Sequence, residues 1–201
     1  MHQNTGCELY RQLRAGKITG AYRIFNARKA GAHWARPQER RLVAMEVSFR
    51  KAEPAEAAAL AGLINRAFAV ERFFIDGDRI NPEQVRELFG TGSFLVAEGG
   101  HALVGCVYVE RRGERGYVGL LSVDPARQRS GLGSRLMAAA EDHARKAGCH
   151  AMDLRVVNLR RELPGFYRRL GYAETGTEPF PPEAQPKLPC HLVTMSKHLA
   201  S

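Results

Sequence analysis

Between Leu121 and Gly133 the chain carries the residue types of an anion site. The segment reads Leu121-Ser122-Val123-Asp124-Pro125, then a short basic loop, then Gln128-Arg129-Ser130-Gly131-Leu132-Gly133-Ser134, where a helical pattern begins. The first N–H groups of a helix have no intrahelical partner and stand at the positive end of its dipole. Gly131 and Gly133 allow close approach and unusual φ, and Arg127, Arg129 and Arg135 add positive charge. Arg135 fits an ordinary solvated helix face equally well. The chemistry expected here is the holding of a phosphate or pyrophosphate.

Two Cys-His pairs, Cys149-His150 and Cys190-His191, have the residue types of metal ligands. Neighbours on a strand point to opposite faces, so neither pair can close on one ion, and no metal site is expected. The cysteines show no C-x-x-C spacing and read as reduced thiols of a cytoplasmic protein.

Regular elements must position the glycine loop. Glu46 to Ala52 alternates and reads as a strand, and Pro54 marks a helix start whose stripe is Leu60, Leu63, Ile64, Ala67 and Phe68. Glu71 to Asn81 is an aromatic and charged loop, and Pro82 to Phe89 a short helix closed by Gly90. Strands are expected at Ser93 to Ala97, Leu103 to Val109 and Tyr117 to Val123. The helix after the glycine loop ends at Gly148. Ala151 to Val157 is a strand, Glu162 to Leu170 a helix and Tyr172 to Thr175 a short strand. A proline-rich loop leads to a last strand, Leu192 to Ser196. The order is that of an α/β domain.

The 201 residues carry a net charge of +9, unevenly placed. Residues 1–44 hold nine Lys/Arg against two Asp/Glu, whereas the other 157 hold 21 against 19. The division is therefore a basic, poorly patterned extension at 1–44 and a folded domain at 45–201. Met45 as the natural start is the plain explanation of the extension, and a basic arm touching nucleic acid the sharper one. No apolar run approaches the ~20 residues of a membrane span, and no secretory signal is visible.

This order of elements, with Val123-Asp124-Pro125 and Gln128-Arg129-Ser130-Gly131-Leu132-Gly133, resembles the GNAT superfamily of acetyl-CoA-dependent N-acetyltransferases. The second half agrees: Asn158 follows the fifth strand, and Phe166-Tyr167-Arg168-Arg169-Leu170-Gly171-Tyr172 matches the family's Tyr-x-x-x-Gly-Phe/Tyr. The resemblance covers about 46–199. It implies a mixed, mostly antiparallel central sheet flanked by helices, with splayed fourth and fifth strands. It also implies acetyl-CoA as co-substrate, its pyrophosphate on the amides from Arg129 to Ser134. The pantetheine would pair with the backbone of Leu121, Ser122 and Val123, and Asn158 would bond to its side of the site.

The implied reaction is attack of a primary amine on the thioester, in a small molecule, amino acid or peptide. By motif position Tyr167 donates a hydrogen bond or proton to the leaving sulfur. Many family members carry a Glu early in the fourth strand. Here that position is Tyr117, a poor base unless its pKa falls far below ~10. Glu110, Glu162 and an ordered-water relay are the remaining candidates for the base. The acceptor site would draw on Phe73, Phe74, Asp76, Asp78, Arg79, Tyr117 and Phe180. Two acids among aromatics suit a cationic amine with an apolar body, Asp-Gly-Asp is equally ordinary turn chemistry, and Arg79 could instead hold an acceptor carboxylate. Two other functions stay open: a non-catalytic acyl-CoA-binding regulatory module, and a protein- or nucleic-acid-associated acetyltransferase. Family members often dimerise, so a homodimer is a further expectation.

Overall fold

The computed structural model describes residues 47–200, so the basic segment 1–44 and the boundary at residue 45 lie outside the described residues. Among the described residues seven strands and four α-helices follow in the order β1 (Val47–Lys51), α1 (Ala57–Phe68), α2 (Pro82–Phe89), β2 (Gly92–Gly99), β3 (Ala102–Arg112), β4 (Arg115–Val123), α3 (Leu132–Lys146), β5 (Ala151–Val157), α4 (Glu162–Arg169), β6 (Ala173–Pro179) and β7 (His191–His198). The strands form one sheet in the spatial order β1-β2-β3-β4-β5-β7-β6. Every neighbouring pair is antiparallel except β4 and β5.

Period-two alternation divides the sheet into two cores. On one face Phe94, Val96, Cys106 and Tyr108 pack against Leu60, Leu63 and Ile64 of α1 and Val85 of α2. On the other, Leu95, Ala97, Val107 and Val109 pack against Leu136, Met137 and Ala140 of α3. Fully burying one such side chain stabilises the fold by about 1.5–3 kcal/mol. The α3 contact is close: a Cβ on Gly105 would lie 2.8 Å from Leu136 Cδ1 and 3.1 Å from the Ser122 carbonyl.

Local chemistry sets the helix ends. Asn81 and Gln84 each accept a backbone N–H from the other's residue, a reciprocal capping box, and Pro82 fills the first turn. The helix expected from Pro54 begins as one 3₁₀ turn, Pro54–Glu56, before α1 proper. The strands outrun their apolar stretches. Glu110, Arg111 and Arg112 still pair with Tyr117, Gly116 and Arg115, so β3 and β4 lengthen around their turn. β6 reaches Pro179 although it is almost wholly exposed, because β7 supplies its ladder.

The antiparallel register of β5 and β7 puts the Leu199 N–H on the His150 carbonyl and the Asn158 N–H on the His191 carbonyl. The two Cys-His pairs therefore lie at opposite ends of that ladder. Among the described residues no helix is long and apolar enough to cross a membrane.

Candidate active site

The site begins where β4 and β5 part. Their ladder holds three pairs, Arg115–Ala151, Gly116–Met152 and Tyr117–Asp153, and then ends. Leu120 sits at φ 51°, and the β3–β4 register shifts beside it. The Ser122 hydroxyl donates to the Leu120 carbonyl at 3.0 Å and holds this kink. Such a bulge bends its strand and increases its twist. Ser122 and Val123 still pair with Cys106 and Gly105 of β3, so their other edge faces the gap. A cavity of about 780 Å³ runs along the gap, a size that holds a drug-sized ligand.

At one end lies the glycine loop. The Asp124 carboxylate accepts the Ala126 N–H at 3.0 Å and sets the turn out of β4. Gly131, at φ 80°, is the N-cap of α3, a conformation that favours glycine. A Cβ built there meets no heavy atom within 4 Å, so the space before the α3 amides is open to an anion. Gln128, Arg129, Leu132, Gly133 and Ser134 line the cavity with it. The Ser130 side chain does not; its hydroxyl donates to the Arg127 carbonyl at 2.6 Å and tightens the loop. Arg135 turns away to β1, stacking 4.8 Å from the Phe49 ring centroid.

Tyr167 of α4 is 7% exposed and lines the cavity. Burial pushes its hydroxyl well above the ordinary phenol range, although Arg160 works the other way, so it stays protonated. Edge contacts with Phe166 and Tyr172 fix the ring. Asn158 has another task. Its Oδ1 accepts the His191 N–H at 2.9 Å, clasping the end of β5 to the start of β7, and it does not line the cavity.

The acceptor end differs most from the sequence expectation. Tyr117, Arg79 and Phe180 line the cavity, but Phe73, Phe74, Asp76 and Asp78 do not. Phe73 is 51% exposed, while Phe74 is buried beneath the loop against Phe180. Asp76 is held by Lys187 at 2.7 Å and Asp78 by Arg72 at 3.5 Å, both outside the cavity. In their place stand Glu71 and Arg160, joined at 3.0 Å although 89 positions apart. Sequence reasoning missed both, because no one-dimensional spacing brings the α1–α2 loop onto the segment after β5.

Glu110 and Glu162 both reach the cavity. A 2.7 Å bond from Arg112 is the main cause holding the Glu110 carboxyl below its usual range. Burial would raise Glu162, but the 2.6 Å bond from Arg160 and the backbone outweigh it and leave it lowered. Glu71 goes the opposite way: burial raises its carboxyl despite the opposing pull of Arg160 and Arg79.

The model of the Acetyltransferase (GNAT) family matches residues 59–172, more than half of the chain. The chain belongs to the GNAT family. Glucosamine 6-phosphate N-acetyltransferase 1 of Oryza sativa subsp. japonica is 32% identical to this GNAT protein over 126 residues, 58% of this chain and 74% of its own. Blasticidin-S acetyltransferase of Streptomyces morookaense is 41% identical over 68 residues, 33% of this chain and 48% of its own. Among solved structures, yncA of Salmonella typhimurium with acetyl-CoA superposes with a TM-score of 0.60 at 22% identity, covering 77% of this chain and 95% of that one. GNAT enzymes are N-acetyltransferases with acetyl-CoA as co-substrate, and the acyltransferase class of this GNAT protein follows from its membership. The open cradle at Gly131 and the free edge of β4 fit such a co-substrate.

Proposed function

We propose that this GNAT protein transfers the acetyl group of acetyl-CoA to a primary amine of a small molecule, amino acid or peptide by direct attack on the thioester. The observation that carries this reading is the parting of β4 and β5 beside both the Gly131 loop and Tyr167. Amides from Arg129 to Ser134 would hold the pyrophosphate, and the edge of Leu121 to Val123 would take the pantetheine as an added strand. The thioester supplies the activated acyl group, and Tyr167 offers its proton to the departing sulfur.

The acceptor enters from the end lined by Phe68, Arg79, Tyr117 and Phe180. Arg79 lies 5.4 Å from the Phe68 ring centroid, and no acid stands within ion-pair distance of it among the described residues. An amine that also carries a carboxylate or phosphate suits that guanidinium. The rice relative's named substrate, glucosamine 6-phosphate, combines those two groups, which supports this class of acceptor.

The test is incubation with acetyl-CoA and an amine panel, read as free thiol, beside calorimetric CoA binding. Thiol release with a zwitterionic or phosphorylated amine is expected. Tight CoA binding without turnover on any amine would replace the enzyme by a regulatory acyl-CoA-binding module.

A further inference from the structure

We infer that Glu71 is the general base of the acetyl transfer and that Arg160 is the positioning residue that holds it; this rests on the N-acetyltransferase reading above. Glu71 comes from the turn after α1 and is 8% exposed, yet it lines the cavity at the acceptor end. A buried carboxylate is retained only when paired, and its partner is Arg160 at 3.0 Å. Arg160 is fixed in turn by Glu162 at 2.6 Å. The same guanidinium acts electrostatically on Tyr167, so donor and base meet the field of one cation.

The charged groups facing Glu71 are Arg160, Arg79 and Glu162. Burial outweighs the two cations, and a carboxyl above its ordinary range is a better proton acceptor near neutrality. Glu110 is held below that range by Arg112, and Glu162 by the closer bond from the shared Arg160 together with the backbone.

The step balances as follows. The amine nitrogen donates its lone pair to the thioester carbonyl carbon, so the C–N bond forms as the C=O π pair moves onto oxygen, to re-form the C=O when the C–S bond breaks. The amine proton passes to the Glu71 carboxylate. The C–S bond then breaks, its electron pair leaves on sulfur, and Tyr167 supplies the proton that makes the free thiol. Solvent then takes the proton from Glu71 and delivers one to the Tyr167 phenolate, so amide and CoA are the net products.

The experiment measures kcat against pH at saturating acetyl-CoA with two acceptors of different amine pKa. The acid limb common to both belongs to the enzyme. Glu71→Gln is expected to lower kcat by about 100-fold or more, to leave the CoA dissociation constant within about twofold, and to abolish that limb. Arg160→Met removes a cation that favours the carboxylate, so the limb moves to higher pH. Glu71→Asp retains the limb and regains part of the rate, which also covers a misfolded Gln variant. An unmoved limb in Glu71→Gln or Arg160→Met, or an Asp variant no faster than Gln, overturns the assignment. Wild type that releases no thiol with any amine removes the acetyltransferase reading itself; turnover with an unmoved limb removes only the base.

Discussion

Glu110 of β3 and Tyr117 of β4 are cross-strand partners, and Arg112 engages both, at 2.7 Å from the carboxylate and 3.9 Å from the ring centroid. Directly opposed residues share a face of the sheet, so a carboxylate stands beside the strand position where the family often places its Glu. The guanidinium neutralises it and covers the tyrosine ring. Glu110→Gln is therefore expected to change kcat by about fivefold or less, on the scale of an ion pair of ~0.5–1 kcal/mol. Steady-state kinetics beside Glu71→Gln checks this; a larger loss in Glu110→Gln would reverse the ranking of the two acids.

Tyr167→Phe removes the hydroxyl and keeps the ring contacts with Phe166 and Tyr172. Turnover should fall by about 100-fold, with CoA affinity and thermal midpoint nearly unchanged. Parallel loss of rate and affinity would make the residue structural.

At Gly131 a valine has room for its Cβ but not the backbone conformation, since φ is 80°. The strain is about 1–2 kcal/mol, and the side chain would occupy the open space before the α3 amides. CoA binding by calorimetry should be lost in Gly131→Val while the fold persists. Unchanged affinity would refute the loop as the pyrophosphate cradle.

Acid stability should show the Arg50–Glu56 pair. Hydrogen bonds from Arg50 are the main cause holding the Glu56 carboxyl at about 2. Since this folded value lies below the ordinary one near ~4.3, the pair stabilises the protein fully above pH ~5 and loses that effect as pH falls towards 2. Discounted for solvent screening, the contribution is about 1 kcal/mol. Urea midpoints of wild type and Glu56→Gln should differ at pH 7 and converge near pH 2; a constant gap would exclude the linkage.

Much of the fold was legible because local signals agreed with tertiary ones. The α1 stripe at Leu60, Leu63 and Ile64, the short helix Pro82 to Phe89 closed by Gly90, and the β5 run are each specified by neighbours in sequence, and each forms where expected. The glycine loop was legible as the entry to a helix for the same reason, its glycines and helix start being contiguous. Strand ends were not, because a partner's ladder extends β3 and β6 past their own apolar residues. The acceptor end was the least legible. Phe73 and Asp76 have suitable chemistry, but the turn over Ala69–Phe73 aims Glu71 inward and leaves Phe73 exposed. Asn158 stands at its motif position, yet its side chain serves the β5–β7 clasp.

The three-pair ladder between β4 and β5 has a thermodynamic consequence. A sheet that stops pairing midway leaves backbone groups to water, and whatever lays an amide-bearing chain against that edge completes the sheet. Ligand affinity and folding stability then draw on the same hydrogen bonds. A ligand at 100 times its dissociation constant raises stability by about 2.7 kcal/mol. The protection should appear as slowed amide exchange at the divergent ends of β4 and β5, far more than in β1 or β6. On the proposed binding mode the co-substrate would stand in for a missing stretch of the protein's own sheet, and acetyl-CoA is then expected to raise folding stability as well as supply the acetyl group.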